Sequence, residues 1–304
     1  MNAYKSLYDL LASFPTEESC VKHLEGLRWP KGIICPVCGE SRKFFNIARN
    51  FLYKCADCGK QFSVRKGTIF EESRLPLRKW FGAVWLVTSS PKGVSSCQLA
   101  RELGVTQKTA WFMLGRLRQV AGAMTDSGGP FTGTIEADET YLGGKQKNKH
   151  KNKRLEKARG GLGKKIVAGV RERGGRIKAV MIDSTRQRDL HRFVKTYVVE
   201  GSTLYTDDCA GYKGLVDYNH ESVNHTVGEY VRGQAHTNGI ESFWALLKRG
   251  YYGVFHQFSW KHLHRYLVEF ESRHSMKCMN GEQRVDSMLE STSGLRLTYK
   301  ALIA

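Results

Sequence analysis

Two close cysteine pairs, Cys35/Cys38 and Cys55/Cys58, constrain this chain more than any other feature. They give the spacing C-x2-C-x16-C-x2-C, while the other cysteines (Cys20, Cys97, Cys209 and Cys278) are scattered. Without a secretory signal, that pattern predicts metal ligation and not a disulfide framework. Four thiolates complete the tetrahedron that zinc prefers, so the predicted Zn2+ is structural and has no open position for catalysis. Gly39 and Gly59 follow the pairs directly and permit the left-handed turn that aims backbone amides at the sulfurs. Lys43–Asn46 and Phe51–Lys54 read as hairpin strands, which makes residues 31–68 a zinc ribbon. Arg42, Lys43, Arg49, Lys54, Lys60, Arg65 and Lys66 surround it, as contact with nucleic acid would require. A ribbon can equally serve as a protein–protein contact, because the fold alone does not decide its use.

The charge balance narrows the partner. Lys and Arg number 48 against 29 Asp and Glu, a formal net charge of +19. So one-sided a surplus favours a polyanion, either nucleic acid or an anionic membrane surface. Residues 145–165 hold ten Lys/Arg and one acid, Glu156, and so carry about half of that surplus in one segment without apolar periodicity. Beside DNA such a loop grips phosphates without reading bases. A hydrophobic share of 41% excludes a generally disordered chain. No apolar run approaches the ~18–20 residues that span a bilayer, and no leader pattern opens the chain. The expectation is a cytoplasmic protein with no membrane partner.

Apolar spacing predicts two short packing helices within residues 1–30 and a helix over PLRKWFGAVWLVTSS. VSSCQLARELGVTQKTAWFMLGRLRQV then has a helix-turn-helix layout within residues 69–125. Ser95 or Ser96 caps its first helix, Gly104 makes the turn, and Thr106 caps a second helix running to about Arg118. Gln107, Lys108 and Thr109 fall at the exposed start of that helix, where such motifs contact base edges. Further on, Thr132–Tyr141, Lys165–Val170 and Arg176–Ile182 read as strands, with a Gly174-Gly175 hairpin turn. A helix over Asp189–Val199, strands at Thr203–Thr206 and Val223–Val227 and a helix over Asn238–Lys248 follow. This order predicts an α/β fold: a ribonuclease H-like mixed sheet with flanking helices over residues 130–290, preceded by the ribbon and the helix-turn-helix.

Three acids sit at the ends of these elements: Asp138 in GTIEADETYLGG, Asp207 in TLYTDDCAGY and Glu241 in HTNGIESFWALLKRG. Phosphodiester chemistry with two metal ions needs carboxylates converging from different elements, and Mg2+ suits such hard oxygen ligands. Strand alternation puts Glu136 on the face of Asp138, with Glu139 opposite, so Glu136 is a rival or additional ligand. Of Asp207 and Asp208, one is expected to be an exposed turn acid. Lys248 and Arg249, two turns beyond Glu241, are candidates for holding a phosphate. His236 reads either as a phosphate or water contact or as a structural histidine, and Tyr212 and Tyr141 either as stacking platforms or as core aromatics.

Those three acidic strings, behind a zinc ribbon and a helix-turn-helix, resemble the zinc-ribbon-bearing DDE transposases of bacterial insertion sequences, of ISXO type. The resemblance covers roughly residues 20–285. It implies a ribonuclease H-like catalytic domain whose triad falls on Asp138, Asp207 and Glu241, with Mg2+ or Mn2+ as the catalytic ion. It further implies binding of double-stranded DNA at terminal inverted repeats, cleavage at element ends, strand transfer into target DNA and a homo-oligomer on DNA. The lysine-rich insertion after YLGG departs from the pattern. A non-catalytic zinc-ribbon transcription regulator and a ribonuclease H-like nuclease without strand transfer are the competing readings.

Overall fold

The computed structural model describes residues 4–40, 42–47, 51–126, 128–144, 150–154, 161, 163–223 and 236–304. Arg49, Glu156 and most of the lysine-rich stretch, and residues 224–227 of the expected strand, lie outside them. The chain divides into two compact units, residues 1–124 with 278–304, and residues 125–277.

In the first unit α1 (Leu7–Ser13) and α2 (Glu17–Arg28) each begin in a reciprocal cap, Ser6 with Asp9 and Thr16 with Ser19. A cap of this kind is worth about 1 kcal/mol, because it satisfies amides the helix leaves unpaired. The ribbon holds β1 (Phe44–Ile47), β2 (Leu52–Cys55) and a further short strand, β3 (Gln61–Phe62), in antiparallel order. β3 exists because Phe62 is buried, edge-on to Trp29 and Phe44. α3 (Leu77–Ser89) buries most of its length, including Trp80, Phe81, Ala83 and Val84, and packs against α1 and α2. α4 (Ser96–Leu103) is capped by the Ser95 hydroxyl and ends on left-handed Gly104. α5 (Gln107–Asp126) follows the Thr106 hydroxyl, which accepts the Thr109 N–H. It outruns the expected end at Arg118 because Val120 and Ala121 continue the buried stripe of Met113, Leu114 and Leu117.

Among the described residues, the second unit carries a five-stranded mixed sheet. Its strands are β4 (Thr134–Leu142), β5 (Lys165–Glu172), β6 (Ile177–Ile182), β7 (Thr203–Asp207) and β8 (Asn219–Val223), in the order β6-β5-β4-β7-β8. β4, β5 and β6 pair antiparallel, whereas β7 and β8 run parallel to β4. Alternation along β4 sends Ile135 and Ala137 to one face, where Leu190, Phe193 and Val194 of α6 (Gln187–Tyr197) complete a core. Leu142 and the other even-numbered positions face α7 (Asn238–Gly250) and α8 (Leu263–Ser275), which bring Ile240, Trp244, Leu247 and Phe270. β8 begins at Asn219, ahead of the expected start at Val223. Its residues are mostly polar, and their strand character comes from pairing with β7, Thr203 opposite Asn219 through Asp207 opposite Val223.

The segment 130–290 does not stay together. α9 (Gly281–Glu290) packs on α2 and α3, and Asp286 accepts a bond from the Tyr4 hydroxyl and pairs with His23, so the second unit ends at Lys277. α10 (Tyr299–Ile303) closes the first unit with the Tyr299 ring against Trp111 and Phe112. No helix among the described residues is long and apolar enough to cross a membrane.

α7 reaches the sheet over Gly169 of β5, where a Cβ would stand 2.7 Å from the Trp244 ring. Replacing Gly169→Ala should therefore destabilise the fold by about 1–3 kcal/mol through overpacking. A denaturant midpoint equal to that of the parent would show that the approach is looser than described.

Candidate active site

Parallel pairing aligns β4 and β7 as far as Ala137 opposite Thr206, so the next residue on each strand, Asp138 and Asp207, continues in step. The Glu139 N–H donates to the Asp138 carboxylate (Oδ1) at 2.8 Å, and the Cys209 N–H donates to Asp207 Oδ1 at 3.2 Å. Glu241 lies in the first turn of α7, exposed, and its Oε1 accepts the hydroxyl of buried Thr237 at 2.8 Å. Burial, together with the neighbouring charges of Asp207, Glu139 and Glu241, pushes the Asp138 carboxyl up to about 8. Asp207, Glu139 and Glu241 thus all act on the Asp138 carboxyl through their charge. Asp208 is the exposed member of its pair.

Glu136 shares a face with Asp138, but its oxygens are committed elsewhere. It is completely buried, with Arg171 Nη1 3.3 Å from both of its oxygens and Arg173 Nε at 3.5 Å. Its Oε2 also accepts the N–H of Ile240 at 2.8 Å. Ile240 is the third residue of α7, and the N-cap Thr237 makes no side-chain cap. The cap therefore comes across the core from β4, placing a carboxylate at the positive end of the helix. Gly239 makes room, since a Cβ there would stand 1.2 Å from Arg171 Nη1 and 2.6 Å from Glu136 Oε2. His236 belongs to this cluster as well, with Nδ1 3.7 Å from Glu136.

Glu139 points to the other face of β4. Its carboxylate, the Asp207 carboxylate and the Cys209 sulfur have ligand atoms all within 4.8 Å of one another. Alternation hid this grouping, because Asp207 ends its strand and meets acids from both faces. Tyr212 is fully buried beside Glu139, so it is a core aromatic and not a stacking platform. Tyr141 is half-buried, with its ring where a Cβ on Gly161 would fall.

The other sequence-predicted residues sit apart from these acids along the chain. Lys248, half-buried, and Arg249, exposed, occupy the last turn of α7. Gln107 and Lys108 are exposed at the start of α5 in the first unit. Gln107 donates to the Ser96 hydroxyl at 2.8 Å, Lys108 lies 4.9 Å over the Tyr299 ring, and the Thr109 hydroxyl meets that of Thr106.

The ribbon cysteines gather as a metal cluster, with Cys35 and Cys58 sulfurs 3.8 Å apart and those of Cys38 and Cys55 3.7 Å apart. Ligands ~2.3 Å from zinc at tetrahedral angles stand about 3.8 Å from one another, so the four thiols fit that ion. Gly39 and Gly59, at φ +79° and +68°, make the left-handed turns behind each pair and donate to the Cys35 and Cys55 carbonyls.

Residues 130–274 match the family described as the ISXO2-like transposase domain, and residues 15–61 match the transposase zinc-ribbon domain. The chain is 29% identical over 295 residues to an uncharacterised protein in the transposable element ISH50 of Halobacterium salinarum. That similarity spans 92% of this chain and 98% of its relative. No solved structure matches.

The raised Asp138 carboxyl has a consequence for stability. A folded-state value near 8 against 3.8 means that the folded protein holds this proton more tightly than the unfolded chain. Its contribution is fully present below about pH 4 and is lost as the pH rises through about 8. In chelator, Asp138→Asn should therefore melt increasingly above the parent as the pH rises across that window. A difference in melting temperature that does not change with pH would contradict the crowded-acid geometry.

Proposed function

From the premise that the chain carries a transposase zinc ribbon followed by an ISXO2-like transposase domain, we propose that it is the DNA transposase of an insertion sequence. On this reading it binds terminal inverted repeats, cuts phosphodiester bonds at the element ends and joins them to target DNA. The observation that carries the proposal is the placing of Asp138 and Asp207 in step on the neighbouring parallel strands β4 and β7, with Glu241 in the first turn of α7 close enough to act on the Asp138 carboxyl. The strand order and directions agree with a ribonuclease H-like catalytic domain.

Asp138, Asp207 and Glu241 would hold Mg2+ or Mn2+, and the donor set fits, since crowded hard carboxylates are stabilised by such cations. When bound, paired divalent cations supply activation of an attacking oxygen and neutralisation of charge on the leaving one. The protein's part is positioning. β4 and β7 present two carboxylates in step, and α7, capped by Glu136, brings the third. Thr237 orients the Glu241 carboxylate through its hydroxyl. Lys248 and Arg249 would hold a DNA phosphate on the same helix.

In the first unit, α4 and α5 form the helix-turn-helix of this proposal, with Gln107, Lys108 and Thr109 reading bases. The ribbon adds phosphate contacts, with its zinc serving structure alone. Residues 145–165 supply sequence-independent grip, which makes affinity fall steeply with salt. Pairing two element ends calls for a homo-oligomer on DNA.

The test uses a labelled element end, a target plasmid and Mg2+. The parent should cleave the end and join it to the plasmid. Asp207→Asn should retain end binding and lose cleavage by more than about 100-fold, because the charge stabilisation at the reacting oxygens goes with the carboxylate. Cleavage that persists in this variant would overturn the triad. Cleavage without a joined product would favour a nuclease, and binding without cleavage in the parent a regulator.

A further inference from the structure

The far side of β4 holds a second group of ligating atoms, Glu139, Asp207 and Cys209, with every ligand atom within 4.8 Å of the others. A neighbouring buried hydroxyl that is not a member of this group points to a ligand here. Tyr212 is 0% exposed, and its hydroxyl faces Glu139 without closing a well-formed hydrogen bond. Oε2 of Glu139 is likewise buried without one. Orphaned polar atoms next to two acids are costly in a protein interior, and a cation removes that cost.

The local backbone keeps the donors in place. The Cys209 N–H donates to the Asp207 carboxylate, and the Tyr212 N–H donates to the Cys209 carbonyl at 3.0 Å, so two bonds tie the Asp207–Tyr212 turn together. Gly211 seats this turn against the protein, since a Cβ there would stand 2.4 Å from the Thr185 carbonyl oxygen. The donor chemistry identifies the ion. Mg2+ takes oxygen ligands, whereas a cysteine sulfur beside two carboxylates selects a softer divalent cation of the zinc class, whose binding would displace the proton that burial and the acids hold on Cys209.

We propose that Glu139, Asp207 and Cys209 form a zinc site separate from the ribbon, with Tyr212 as its outer-shell partner, and that this site shares Asp207 with the acids on the opposite face. Zinc bound there competes for Asp207 and so opposes Mg2+-supported cleavage. That consequence rests on the function proposed above; the zinc site itself does not.

The experiment takes the full-length chain with its ribbon loaded, equilibrates it with buffered zinc and measures bound metal. The parent should take up one equivalent beyond the ribbon's ion. Cys209→Ser and Glu139→Gln should each lose it, with affinity falling by more than the roughly 10–100-fold that removing an outer-shell partner costs, and Tyr212→Phe should fall within that range. Cobalt at this site should show thiolate-to-metal absorption in the parent and none in Cys209→Ser, with the far-ultraviolet circular dichroism unchanged. Binding of the ribbon's ion alone by the parent, or full retention of the extra ion by Cys209→Ser, would overturn the site. In the cleavage assay, excess zinc should suppress the parent and spare Cys209→Ser. Equal suppression of both would overturn the sharing of Asp207, and a parent inert at all zinc levels but binding the extra ion would fault the functional reading alone.

Discussion

A single buried carboxylate, Glu136, ties the second unit together. It neutralises guanidinium groups from β5 and the adjoining turn and caps α7 through the Ile240 N–H. Breaking one side of a buried ion pair costs about 3–5 kcal/mol, because the remaining charge is left without compensation. Gly239 and Gly169 make the same contact possible sterically, one under the Arg171 guanidinium and the other under the Trp244 ring. The position of Glu241 follows from this docking, since it lies on the turn of α7 that Glu136 anchors.

The acids beside Glu136 follow an opposite logic. Glu136 is stabilised by cations of the protein itself, whereas Asp138 has Asp207, Glu139 and Glu241 for neighbours, and its carboxyl rises to about 8. In a chain of net charge +19 this is a local inversion of sign. Such crowding is unfavourable for folding and favourable for holding cations, the usual compromise at a functional site.

The parts of this arrangement that were legible in the sequence were local. The ribbon showed in cysteine spacing and the turn glycines, and β4 through β7 showed in alternation and hairpin chemistry. Alternation also placed Glu136 and Asp138 on one face, but it could not separate the cap from the candidate ligand. The separation depends on Arg171, Arg173 and Ile240, which are 35, 37 and 104 residues away and meet Glu136 only through strand register and helix docking. The start of β8 is not legible in apolar alternation because NHESV is polar and owes its conformation to its partner strand. The Val285, Met288 and Leu289 face of α9 says only that it packs, not on what, so its grouping with the first unit is not legible in the sequence. The grouping of Glu139 with Cys209 was hidden for a similar reason, since an acid at the end of a strand is not confined to one face.

The most direct measurement of the central claim is the position of Mn2+ in crystals soaked with the ion, located by its anomalous scattering. The account predicts a peak bounded by Asp138, Asp207 and Glu241, with Glu136 still accepting the Ile240 N–H and paired with Arg171. Mn2+ coordinated by Glu136, with the cap of α7 released, would contradict it.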